Sequence, residues 1–229
     1  MSIEPYVYIK KINFFKKEEV ISYFQKLEQK FRDSSVEGYF DLEIDKDFLS
    51  LKYYRVLSTT DLIVDNLSKQ VLSDEISSVI KADIIINFYY KTLVIWGRPS
   101  IYKSLYSEFL HNKHFEIKST ILQMDCLIKS FKDVDAEIVQ IALKDVRILG
   151  KHVTRVSFST NNTEDAIYLA KKIGAKIVTI KFKIPAKINE FFYIEINLLE
   201  CEFKFSTTIL MDSIVKEKLE EIINTMNLN

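Results

Sequence analysis

Carboxylates alternate along residues 41–47: Asp41, Glu43 and Asp45 take every second position, and Asp47 follows. On a β-strand this spacing puts three acids on one face, where their oxygens can hold a divalent cation. The same charges on an edge hairpin keep the edge wet and resist strand addition, and that is the plainer reading. Glu202 and Lys204, two positions apart, match the end of a pattern that couples a carboxylate to a lysine in metal-assisted hydrolysis. That pattern also needs an aspartate on a neighbouring strand, and none lies between Asp165 and Asp212. His111 and His114 share a helical face only if a helix runs through both. Asn112 and Phe115 read instead as an exit into a strand. Cys126 and Cys201 sit in apolar surroundings and read as buried, inert thiols. No catalytic residue, metal or cofactor is assigned, and the chain reads as a binding protein before an enzyme.

Glycine sharpens the exclusions. There are four in 229 residues, no two within six of each other, which removes the dinucleotide fingerprint and the P-loop. At 48% hydrophobic and 28% charged residues the chain is ordinary globular material, too apolar for disorder over its length. No window of about 18 apolar residues is present to span a bilayer, and residues 1–12 lack the apolar core of a signal peptide. With two cysteines and no such leader, the expected compartment is the cytoplasm, with the nucleus open, and no membrane partner is expected.

Charge is segregated along a chain whose formal net charge is zero. Residues 33–85 carry eleven acids and five bases, net −6, and 188–229 carry eight acids and three bases, net −5. Between them, 144–187 hold ten bases and three acids, net +7. Lys151, Arg155, Lys171, Lys172, Lys181 and Lys183 are the candidate contacts to nucleic acid, because clustered cations attract phosphate and release its counterions. The opposing reading is that these charges pair with the acidic segments after folding.

Periodicity supplies the elements that must position these groups. Strands are expected at 6–14, 39–45, 48–57, 84–90, 93–96, 153–159, 175–184, 191–197 and 200–205. Helices are expected at about 17–32, after Pro99, after Asn162 and at 211–226. Residues 62–81 read as a short helix through Ile76, Val79 and Ile80, and 138–149 as either a strand or a buried helix. On the strand at 175–184, Val178, Ile180, Phe182 and Ile184 take one face. Lys181 and Lys183 must therefore leave by the other. Trp96, before a turn at Gly97, is expected in the core.

The implied fold is α+β, mostly antiparallel sheet with amphipathic helices on one face. Element order divides the chain into an N-terminal half at 1–111, a connector at 112–150 and a C-terminal half at 151–229. It also raises pseudo-duplicated βα…ββα halves. Each half closes with a strand pair feeding a helix, an order that resembles the halves of TATA-binding-protein-like folds. The resemblance is one of order alone and carries no functional residue across. The leading functional expectation is a non-enzymatic binding or scaffold subunit of a larger assembly, partnered by a protein or by itself, since aromatics, 13% of the chain, favour interfaces. Nucleic-acid binding through 144–187 comes second, and a metal-dependent hydrolase third.

Overall fold

Alternation overrides helical spacing through most of this chain. The computed structural model describes residues 6–31, 34, 36–64, 71–118, 122, 127–128, 131, 135–148, 151–160, 165, 168, 172, 175–187 and 190–205. At 59–64, 71–76, 147–148, 152, 186–187, 190 and 205 it describes the backbone alone. The strands are β1 (Tyr6–Asn13), β2 (Glu37–Ile44), β3 (Phe48–Val64), β4 (Val71–Asn87), β5 (Thr92–Trp96) and β6 (Glu116–Lys118), then β7 (Glu137–Ile148), β8 (Lys151–Ser159), β9 (Lys176–Lys187), β10 (Glu190–Asn197) and β11 (Glu202–Phe205). The helices are α1 (Lys17–Lys30) and α2 (Pro99–Leu110). Eleven strands against two helices among the described residues correct the α+β expectation: this is a mostly-β protein built on antiparallel sheet.

Two segments account for much of the correction. Residues 71–87, part of which had the i, i+3, i+4 spacing of a helix, form β4, which pairs residue for residue with β3 from Phe48↔Asn87 to Val64↔Val71. Residues 137–148 form β7, paired on both sides. A partner strand and a β-branched composition outweigh a short stretch of helix-like spacing. The helix expected at 211–226 lies outside the described residues, as does most of the one after Asn162.

The chain forms two compact units, 12–116 and 1–11 with 117–229. In the first, β2, β3, β4 and β5 follow one another as an antiparallel meander. Both helices meet the face that carries Tyr39, Tyr53 and Arg55. Tyr39 donates to Glu108 Oε2 at 2.6 Å and Arg55 to Ser104 Oγ at 2.8 Å. Burial opposes ionisation of Glu37, but hydrogen bonds from Tyr53 and Arg55 outweigh it and hold this carboxyl below its usual range. The helices follow from their sequences. Pro99 suits the first turn of α2, and α1 has Glu18 and Glu19 at its start and Lys30 at its end, complementing the dipole. Trp96 is buried, as its alternation predicts.

The second unit has the order β1, β11, β10, β9, β7, β8, with antiparallel ladders. Here too β9, β10 and β11 follow one another as an antiparallel meander, but β8, which opens the half at 151–229, lies at the edge beside β7 rather than beside β11, so pseudo-duplicated βα…ββα halves with those bounds do not match. One face holds Val7, Ile9, Phe203, Ile194, Ile196, Ile180 and Phe182, all essentially inaccessible. Phe131 stacks on Phe182 with ring centroids 4.3 Å apart. Pro185 interrupts β9 beyond the last pairing with β7 at Lys183 and next to a register shift in β10, where a missing donor is tolerated. Asparagine and aspartate do the turning that glycine usually does. Asn87 Oδ1 accepts from Tyr90 N, and Asn197 Oδ1 accepts from Leu199 N and Glu200 N. Asp41, Asp135 and Asp145 take left-handed φ values.

The centre of the first unit is aromatic. Phe24 on α1 is fully buried, 5.6 Å from Phe109 on α2 and 6.0 Å from Phe115 by ring centroids. Phe24→Ala is expected to lower unfolding stability by about 3–5 kcal/mol in urea titrations. A loss below about 1 kcal/mol would show that the cluster does not anchor the helices.

Candidate polyanion-binding face of the second unit

The site is built on β9, whose two faces differ sharply. Ile180, Phe182 and Ile184 are buried, while Lys181 and Lys183 leave by the other face. Both lysines are half-buried rather than fully exposed, and their ammonium groups lie over aromatic neighbours on β10. Lys181 Nζ lies 5.0 Å from the Tyr193 ring centroid, and Lys183 Nζ lies 3.8 Å from that of Phe191. The rings themselves remain accessible: Phe191 is 52% and Tyr193 46% exposed. They alternate with the buried Phe192, Ile194 and Ile196. Lys204 on β11 is set over Tyr6 on β1 in the same manner, at 5.9 Å.

Cations gather where β8, β7 and β9 run side by side. Lys144 on β7 lies directly opposite Arg155 on β8 and, past a register shift, opposite Lys176 on β9. Like charges in directly opposed positions repel, and among the described residues none of the three forms an ion pair. Beside them opens a cavity of about 290 Å³ lined by Lys144, Thr154, Arg155, Val178, Thr179, Asn197, Leu199 and Glu200. Arg155 Nη2 reaches Thr179 Oγ1 at 3.4 Å. Lys151 is exposed four residues before Arg155, on the same side of β8 by alternation.

Carboxylates temper the centre of the face. Glu195 is opposite both Lys181 and Lys204, and Glu137 is opposite Lys183. Glu202 has its carboxyl pushed up by burial and by Glu200 and Glu195. The field is therefore mixed along β9 and β10 and positive at the β7–β8 end. Of the residues singled out by sequence, Arg155, Lys181, Lys183 and Lys151 come to this face. Lys172 is exposed and set over Tyr168, and Lys171 lies outside the described residues. Lys144 and Lys176 belong to the basic segment at 144–187 that the sequence marked, whereas sequence reasoning missed Phe191, Tyr193 and Asn197. The signal for the two aromatics was legible, since Phe191-x-Tyr193 runs out of phase with the apolar alternation of β10.

The other candidate constellations do not assemble. A bulge between Phe40 and Glu43, with Asp41 at φ 54°, breaks the carboxylate alternation, and Asp41 pairs with Lys52 at 2.8 Å. Helix α2 ends at Leu110, so His111 and His114 do not share a helical face. His111 Nδ1 is 2.7 Å from Ser107 O, while His114 lies beside Tyr23. Among the described residues no three metal-ligating side chains come together, and no helix is long and apolar enough to cross a membrane.

Comparison with known protein families finds no model that matches the chain, and comparison with curated proteins finds no match either.

Cys201 is fully buried, and burial pushes its thiol up to about 11. At pH 8 it therefore stays a thiol. Peptide-level mass spectrometry after iodoacetamide treatment is expected to show Cys201 unmodified in the native protein and fully alkylated in denaturant. Rapid native alkylation would contradict this packing.

Proposed function

We propose that the open face of the second unit binds single-stranded nucleic acid. The observation that carries the reading is the combination, on one sheet face, of solvent-accessible rings under lysines with a row of opposed cations. Sequence-tolerant binding of single strands uses these two parts, rings on which bases stack and cations that track the backbone. A duplex hides the faces of its bases and cannot use the rings.

Magnitudes favour the exchange that binding requires. Each exposed cation–π contact is worth about 0.5–1 kcal/mol. A base stacked on the same ring gains about 1–3 kcal/mol, and the displaced ammonium is then free to meet a phosphate. From Lys176 to Lys183 the face extends about 23 Å at a strand rise of about 3.3 Å per residue, room for several nucleotides. Since Glu195 and Glu137 face the central lysines, the electrostatic contribution comes chiefly from Lys144, Arg155 and Lys176.

A second reading, a scaffold that binds a protein partner, draws on the first unit. Phe15 is fully exposed and Tyr89 is 76% exposed, and aromatics of this kind anchor protein interfaces. Binding assays separate the two readings.

Fluorescence anisotropy with short labelled DNA and RNA strands tests the first. At about 50 mM salt single strands are expected to bind more tightly than duplex of the same length. If four cations meet phosphates, the slope of log K against log salt is about −3. The double variant Phe191→Ala/Tyr193→Ala is expected to weaken binding at least tenfold with little change in that slope, because rings release no counterions. No binding at that salt, or a duplex preference, would overturn the proposal and leave the scaffold reading.

A further inference from the structure

The cavity at the β7–β8 end is rich in hydrogen-bond donors. Lys144 and Arg155 bring an ammonium and a guanidinium to its wall, and Thr154 and Thr179 bring hydroxyls. Asn197 lines it too, but its Oδ1 is already taken by the backbone N–H groups of Leu199 and Glu200, at 3.1 and 3.3 Å. The turn thereby leaves the Asn197 amide only its two N–H donors to offer. One acidic side chain, Glu200, shares the lining.

We infer that this cavity is a phosphomonoester site. A terminal phosphate carries about −1.5 to −2 charges at neutral pH and three strong acceptor oxygens, whereas a backbone phosphodiester carries one charge. The arrangement suits the monoester for three reasons. The row Arg155–Lys144–Lys176 opposes like charges across adjacent strands, and a dianion relieves that repulsion more fully than a monoanion. Arg155 has a planar fork that matches phosphate geometry, held towards the cavity by its contact with Thr179. The volume, about 290 Å³, holds a phosphate with an attached sugar.

The shared chemistry has two sources, the phosphorylated end of a strand or a free mononucleotide. We assign the end of a strand, an assignment that rests on the function proposed above. On β9, Thr179 in the lining is two residues from Lys181, so the cavity lies at one end of the lysine–aromatic face and on the same side of the strand. A strand lying along that face reaches the cavity with its terminus.

The test uses the full chain and matched oligonucleotides labelled at the end opposite the one compared: 5′-phosphate against 5′-hydroxyl, and 3′-phosphate against 3′-hydroxyl. One of the two pairs is expected to show about tenfold tighter binding of the phosphorylated form, the scale of a charge-assisted contact. Lys144→Ala and Arg155→Ala are each expected to abolish that preference; because both cations also serve the strand backbone, the hydroxyl-ended strand is expected to weaken too, but less than the phosphorylated one. Phe191→Ala/Tyr193→Ala is expected to weaken both forms equally. A separate arm follows thermal stability with adenosine monophosphate, uridine monophosphate and inorganic phosphate, and reads the cavity even if no strand binds. Stabilisation by mononucleotides that is lost in Arg155→Ala, without any end preference, would keep the phosphomonoester site and reassign its source to the free ligand. Equal affinity for both kinds of end, together with no stabilisation by any of the three small ligands, would overturn the inference while leaving strand binding along the face intact.

Discussion

Everything proposed for the second unit depends on the register of β9. This strand is paired on both sides, to β10 and to β7, and its alternation has period two. A slip of one residue would turn Ile180, Phe182 and Ile184 outward and Lys181 and Lys183 inward. The energetic contrast makes such a slip prohibitive. Burying each large apolar side chain contributes about 1.5–3 kcal/mol, while each lysine–ring contact on the outer face contributes about 0.5–1 kcal/mol. The core sets the register, and the outer face takes what the register presents. Phe131, stacked on Phe182, reinforces the choice.

On that outer face the charges sort by position. Acids and bases are interleaved along β9, β10 and β11, which keeps the middle of the face wet and nearly neutral. Towards the β7–β8 end the pairing brings basic residues opposite one another instead. Repulsion between exposed side chains is modest in water, so the sheet tolerates the row. That tolerance leaves a local positive potential in a chain of zero net charge. The segregated sequence charge thus reaches the surface as a local feature, attenuated by Glu137 and Glu195.

Legibility in the sequence followed the strength of the local pattern. The face of β9 could be read directly, because four apolar residues at every second position leave the lysines one way out. Both helices of the first unit were legible from their apolar stripes, as was the burial of Trp96. Residues 71–87 were not, because their pairing with 48–64 is a tertiary fact. Three apolar residues at 76, 79 and 80 satisfy a helical spacing equally well. Residues 137–148 hid for a related reason: Asp145, at positive φ, and a register shift against β9 disturb the alternation that would have marked a strand. The cavity was illegible in principle. Thr154, Thr179 and Asn197 have no sequence relation, and three neighbouring strands bring them together.

The central claim is that bases stack on Phe191 and Tyr193 while their backbone runs past Lys181 and Lys183. Photo-crosslinking measures it most directly. A 4-thiouridine-containing single strand is irradiated with the protein, and the crosslinked peptides are identified by mass spectrometry. The account predicts crosslinks concentrated on the β10 peptide at Phe191 and Tyr193, lost when unlabelled single strand competes and kept when duplex competes. Crosslinks confined to the first unit, or spread evenly over exposed aromatics such as Phe15 and Tyr89, would contradict it.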